Sequence, residues 1–85
     1  MYLAKVYIQL KPTVNDPQGL TIKNSLHMLG FKSVEKVRAG KYIEITLSAR
    51  DAEEAKSEVD EMCRKLLVNP VIETFRFDIE EVPEG

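Results

Sequence analysis

The sequence predicts an α+β fold: a ferredoxin-like antiparallel sheet with two helices on one face, in the order strand-helix-strand-strand-helix-strand. Three observations predict it. Both ends of the chain alternate apolar and polar residues with the period of a strand. Two segments between them carry apolar residues at helical spacing. A short Ala39-Gly40 connection between two further extended stretches reads as a hairpin.

The first strand covers residues 2–10. Tyr2, Ala4, Val6, Ile8 and Leu10 share one face, and Leu3, Lys5, Tyr7 and Gln9 the other. After a loop, Asp16 has the chemistry of an N-cap and Pro17 suits the first helical position. Ile22, Leu26 and Leu29 form a stripe that Leu20 extends. Gly30 then ends the helix, and Phe31 can fold back on its last turn. Residues 33–38 read as a short strand, and residues 41–47 as its antiparallel partner. Ile43, Ile45 and Leu47 face inward there, with Tyr42, Glu44 and Thr46 outward.

Ser48 or Asp51 opens the second helix. Ala52, Ala55, Val59, Met62 and Leu66 recur every three or four residues, the clearest helical signal in the chain. Asn69-Pro70 ends it, because a residue before proline is pushed out of the helical region. Residues 71–82 alternate again, with Phe75, Phe77 and Ile79 inward. At ~3.3 Å per residue such a strand reaches about 40 Å, longer than a small sheet needs. The outer sheet face would carry Leu3, Tyr7, Tyr42, Ile72 and Arg76. It is too apolar for water and too polar for a core, so these five residues are candidate dimer contacts. The expectation is a homodimer, extending to a dimer of dimers. Residues 80–85 look like a tail.

Composition bounds the function. The chain has 85 residues, 44% of them hydrophobic and 31% charged, which fits one small globular domain. A net charge of -2 argues against nucleic acid or an anionic membrane as the main partner. One cysteine allows no internal disulfide, and no apolar run approaches the ~20 residues of a membrane span. The first residues enter a strand pattern at once, without the apolar stretch of a signal peptide, so a cytoplasmic chain is expected.

No residue set looks catalytic. His27 lies on the first helix with no carboxylate or second ligand near it in sequence. Cys63 sits in an apolar helical setting, where small buried thiols are common and nucleophiles are not. Without a Cys-x-x-Cys motif, a ferredoxin-type metal carrier is excluded on ligand count. Catalytic, cofactor and metal residues are therefore expected to be none. The informative chemistry lies at the junctions Asp16-Pro17-Gln18-Gly19, Arg38-Ala39-Gly40-Lys41 and Asn69-Pro70-Val71-Ile72-Glu73. Free amides at the first of these can hold an anion, but Asp16 occupies them and adds negative charge, so capping is favoured. Arg38 and Lys41 place two cations on the expected hairpin tip. Gln18, Arg38, Lys41 and Glu73 are polar groups set by Pro17, Gly40 and Pro70, and are candidate partner contacts.

The same junctions carry a resemblance. Val6-Tyr7-Ile8-Gln9-Leu10-Lys11-Pro12, Asp16-Pro17-Gln18-Gly19, Leu29-Gly30-Phe31, Val37-Arg38-Ala39-Gly40-Lys41 and Leu66-Leu67-Val68-Asn69-Pro70-Val71-Ile72-Glu73 occur in order over nearly the whole chain. Together they resemble the small PurS-type subunit of phosphoribosylformylglycinamidine synthase. The resemblance implies one PurS-like domain over residues 1–85. It also implies a non-catalytic subunit that joins a large synthetase subunit to a glutaminase subunit. That assembly uses glutamine, ATP and Mg to convert formylglycinamide ribonucleotide to formylglycinamidine ribonucleotide in purine biosynthesis. This chain itself would bind no cofactor.

Two other readings compete. One is a small-molecule regulatory domain of an amino-acid or nucleotide pathway, since modules of this order often bind ligands at dimer interfaces. The other is a sheet-surface RNA binder that stacks bases on Tyr7 and Tyr42. Acidity and the missing aromatic RNA motif weigh against the latter.

Overall fold

The computed structural model describes residues 1–83. Three strands form one antiparallel sheet in the order β2-β1-β3. They are β1 (Tyr2–Leu10), β2 (Gly40–Leu47) and β3 (Glu73–Glu81). The helices are α1 (Pro17–Met28) and α2 (Ala52–Met62), and α2 continues into a wider π turn at Cys63–Leu67. Glu80 and Glu81 of the expected tail belong to β3, and residues 84–85 lie outside the described residues.

Alternation set the inward faces as expected. Ala4, Val6 and Ile8 of β1 are buried with Val59, Cys63 and Val68. Ile43, Ile45 and Leu47 of β2 and Phe75, Phe77 and Ile79 of β3 pack partly buried around them. β1 is central because its apolar face can be covered from both sides, and its ladder pairs Val6 with Ile43 and with Phe77. α2 packs against β1 and β3. Asp51, not Ser48, caps α2, its carboxylate accepting the Glu54 amide at 2.8 Å.

Three expectations need correction. First, residues 33–38 are not a strand, and no hairpin joins them to β2. The sheet ends at β2, whose outer edge this segment leaves unpaired. The segment runs back beside α1 instead: the His27 ring lies 2.7 Å from the Val34 carbonyl through Nε2. Arg38 and Lys41 therefore do not sit on a hairpin tip. Second, the last strand begins at Glu73, not Val71. Asn69 to Ile72 form a turn, with the Ile72 and Glu73 amides both donating to the Asn69 carbonyl. β3 pairs with β1 along its whole length, from Tyr2–Glu81 to Leu10–Glu73. It does not project, so the long-strand route to a dimer falls away. Third, Leu66 is 82% exposed rather than inward. The π turn spaces inward positions by five residues: the Val68 amide donates to the Cys63 carbonyl at 3.0 Å, and both residues are buried.

The fold class stands, but α1 does not lie over its own sheet. No α1 residue belongs to the core cluster, and Gly19 is the one residue of α1 that is buried. α1 and the return segment 31–38 form an arm joined to one end of the sheet. Gly30, at φ 103°, reverses the chain at the arm's far end. The molecule is accordingly long and thin, 50 × 29 × 15 Å.

Candidate functional site: the polar corner at the arm's root

Four connections meet where β1 ends and β2, β3 and α1 begin. Asp16 holds them together. One carboxylate oxygen accepts the Gly19 amide at 2.9 Å, capping α1. The other accepts the Ala39 amide at 2.7 Å, across 23 positions of sequence. Those two amides hold the Asp16 carboxyl below the usual carboxylate range. The clamp is therefore an anion's clamp. Its stabilisation is complete above the unfolded carboxylate pKa of about 3.9 and is lost as pH falls through the lower folded value. Protection of the Gly19 and Ala39 amides, taken relative to their intrinsic exchange rate at each pH, is expected to be full at pH 5 and to fall below about pH 4.

Gly19 is small because the return segment passes over it. A Cβ there would stand 2.2 Å from the Val37 carbonyl oxygen. Gly40 has the same role at the start of β2, where a Cβ would meet the Ile8 carbonyl oxygen at 2.7 Å. The backbone is thus packed on backbone at both junction glycines.

Three of the four candidate contact residues converge here. Gln18, Lys41 and Glu73 line a cleft of about 170 Å³ with Asp16, Ala39 and Gly40. Lys41 Nζ lies 3.5 Å from Glu73 Oε2, with the Lys41 side chain 64% exposed and that of Glu73 11% exposed. The other Glu73 oxygen accepts the Asn69 amide at 2.8 Å, and the Asn69 side chain accepts the Val71 amide. Glu73 is therefore a brace for the turn before β3, with one oxygen turned to Lys41. Arg38, the fourth, is exposed and does not line the cleft. Its Nη2 donates to the Lys11 carbonyl at 3.0 Å, tying the arm's root to the loop after β1.

Asp16 in its bridging role is what sequence reasoning missed. Its position identified a cap, and nothing local signals that its second oxygen reaches Ala39. Asn69 and Lys11 are likewise structural parts of the corner that carry no motif.

The open face of the sheet is a second feature. Tyr7 pairs with Tyr42 on one side and Arg76 on the other. The tyrosine rings are 5.1 Å apart, and the Arg76 guanidinium lies 4.0 Å over the Tyr7 ring. The Tyr42 hydroxyl donates to Glu44 at 2.8 Å, which pushes its pKa up to about 12. Leu3 lies on the same face, two residues before Lys5, whose Nζ lies 3.5 Å from Glu80. Ile72 stands apart from these four, in the turn before β3, where it is 37% exposed. The RNA-stacking reading loses ground, because Tyr7 already has Arg76 on its ring.

His27 lies in the last turn of α1 and Cys63 opens the π turn after α2, so the two sit on separate elements. Cys63 is fully buried, which pushes its thiol pKa up, the opposite of nucleophile activation. Among the described residues, no group of His, Cys, Asp and Glu is placed to hold a metal ion. No helix among them is long and apolar enough to cross a membrane.

The fold and this corner define a small α+β module with a protruding arm and, among the described residues, no metal-ligating cluster. Comparison with known proteins makes this specific. Residues 3–81 match the PurS family model, described as phosphoribosylformylglycinamidine (FGAM) synthase. The chain is 46% identical over 82 residues to the PurS subunit of Bacillus subtilis, covering 96% of each. It superposes on the crystal structure of Methanocaldococcus jannaschii PurS with TM-score 0.90 at 43% identity, over 98% of this chain and 100% of that one. It also superposes on a chain in the structure of PurLQS from Thermotoga maritima, with TM-score 0.84 at 32% identity, over 94% and 99%. The chain belongs to the PurS family and is a subunit of FGAM synthase in purine biosynthesis.

Proposed function

We propose that this subunit joins the large synthetase subunit to the glutaminase subunit and supplies no side chain to the chemistry. The observation that carries this reading is the polar corner. Gln18, Lys41 and Glu73 share one cleft; Asp16 fixes the backbone beside Gln18, Arg38 and Lys41, and the Asn69 turn fixes that of Glu73. Side chains on fixed backbone lose little freedom when a partner binds. Ammonia released from glutamine is protonated and lost in water, so the two active sites must be held in a closed relation. A rigid joining module meets that need. ATP and Mg act on the synthetase subunit, and the assembly works in the cytoplasm.

The subunit acts as a homodimer. Leu3, Tyr7, Tyr42 and Arg76 on the open sheet face, with Ile72 at the neighbouring turn, are the dimer contacts this reading assigns.

The test uses a sizing column with the two catalytic subunits and the double variant Arg38→Ala, Lys41→Ala. Both side chains are exposed, and the links they lose are surface contacts worth about 1 kcal/mol or less. Folding and self-association should therefore persist, while binding to the catalytic subunits weakens about tenfold or more. Unchanged assembly would return these residues to the role of solvated side chains.

A further inference from the structure

We propose that Asp16 is a positioning residue for the catalytic subunits: through its second carboxylate oxygen, and apart from its role as a cap, it sets the backbone that carries Arg38 and Lys41. The assignment deepens the joining role proposed above and rests on it.

Capping alone does not call for this side chain. Serine and asparagine cap a helix about as well as aspartate does. What a carboxylate adds is a second acceptor oxygen, and here that oxygen is in use. Oδ1 accepts the Gly19 amide at 2.9 Å, and Oδ2 accepts the Ala39 amide at 2.7 Å. Asp16 is only 7% exposed, so neither amide is left to bulk solvent. The first turn of α1 carries no acidic residue of its own. Asp16 therefore also supplies the negative charge that a helix start favours.

The far end of the clamp is where order is otherwise missing. Residues 34–39 belong to no helix or strand, so no ladder fixes them. The Ala39 N–H belongs to the peptide plane that follows the Arg38 Cα. Held on Asp16, that plane fixes how the Arg38 side chain leaves the backbone. Arg38 reaches back to the Lys11 carbonyl at 3.0 Å. Lys41, two residues on in β2, reaches Glu73 at 3.5 Å. The two cations thus flank one pinned amide. Releasing Oδ2 frees the segment before β2 and leaves α1 capped. A partner that needs both cations in place would then have to order that segment as it binds, and affinity would fall.

Two variants separate the bridge from the cap. Asp16→Ser keeps a capping oxygen, but one hydroxyl on a shorter side chain cannot span both amides. Ala39→Pro breaks the same bond from its other end by removing the N–H, and leaves the cap whole. Binding to the two catalytic subunits is titrated for each, for the Arg38→Ala, Lys41→Ala chain, and for Asp16→Ser combined with both. Asp16→Ser is expected to bind about tenfold more weakly while its helix content by circular dichroism stays that of the parent. The triple variant is expected to bind within about twofold of the Arg38→Ala, Lys41→Ala chain, because Asp16 acts through those two side chains. Additive losses, about a hundredfold together, overturn the proposal and make Asp16 a general brace of the fold. Parent-like binding by Asp16→Ser, beside weakened binding by the Arg38→Ala, Lys41→Ala chain, also overturns it and leaves the joining surface standing. If Asp16→Ser does not fold, Ala39→Pro decides on the same terms. Parent-like binding by the Arg38→Ala, Lys41→Ala chain removes the surface itself, and the proposal with it.

Discussion

Ile8→Ala is expected to cost about 2–5 kcal/mol of folding stability. Ile8 is 1% exposed and lies in the second half of the middle strand, opposite Phe75 and in the same core cluster as Val59 and Cys63. Removing its outer carbons leaves a cavity that β1 cannot close, because β1 is hydrogen-bonded on both edges. A domain of this length has about 4–13 kcal/mol in total, so the variant stands near the limit of folding. Denaturant unfolding checks it: the midpoint should fall sharply with little change in slope. A midpoint near that of the parent chain would mean that β1 is not the core strand.

Gly19→Ala is expected to destabilise by roughly 1–3 kcal/mol, against the helix preference that favours it. In an exposed helix interior, alanine for glycine gains about 1 kcal/mol. Here the added Cβ would stand 2.2 Å from the Val37 carbonyl oxygen and 2.9 Å from Asp16 Oδ2. The first neighbour is backbone and cannot rotate aside. Either the return segment lifts off α1 or the helix start moves, and each opens the Asp16–Ala39 bond. Hydrogen exchange at Ala39 should rise with the loss of stability while exchange in β1 changes less. A more stable variant would show that the arm's two segments are not packed as described.

How much of this was legible in the sequence follows from the range over which each signal acts. Period-two alternation is local, and it placed Val6, Ile43 and Phe77 on one face. Capping is local too: Asp16 marks the start of α1, and Ser48 or Asp51 that of α2, where the structure selects Asp51. The errors arose where a distant partner decides. Residues 33–38 have the length and composition of a strand, but contacts with distant groups hold them beside α1: Val34 meets His27 and Ala39 is fixed by Asp16, while the outer edge of β2 stays unpaired. Leu66 fits an ideal helical stripe, yet the π turn at Cys63–Leu67 rotates the frame so that Val68 turns inward. Arg38 and Lys41 were rightly grouped at a junction, but the junction is the root of an arm rather than a hairpin tip. The arm's departure from the sheet was invisible, because Ile22, Leu26 and Leu29 would form the same stripe over this chain's sheet or another's.

The central claim is that this subunit joins the catalytic subunits without taking part in their chemistry. It is tested most directly by measuring FGAM synthesis by the two catalytic subunits, with either glutamine or ammonia as nitrogen source, with and without this chain. A Cys63→Ala, His27→Gln variant is compared beside it. Without the chain, the glutamine-dependent rate should fall about tenfold or more as the effective concentration of ammonia at the synthetase is lost. The ammonia-dependent rate should fall less. The variant should restore the glutamine rate wherever it restores assembly. A variant that assembles fully yet fails to restore that rate would contradict the claim, for it would place chemistry on this chain.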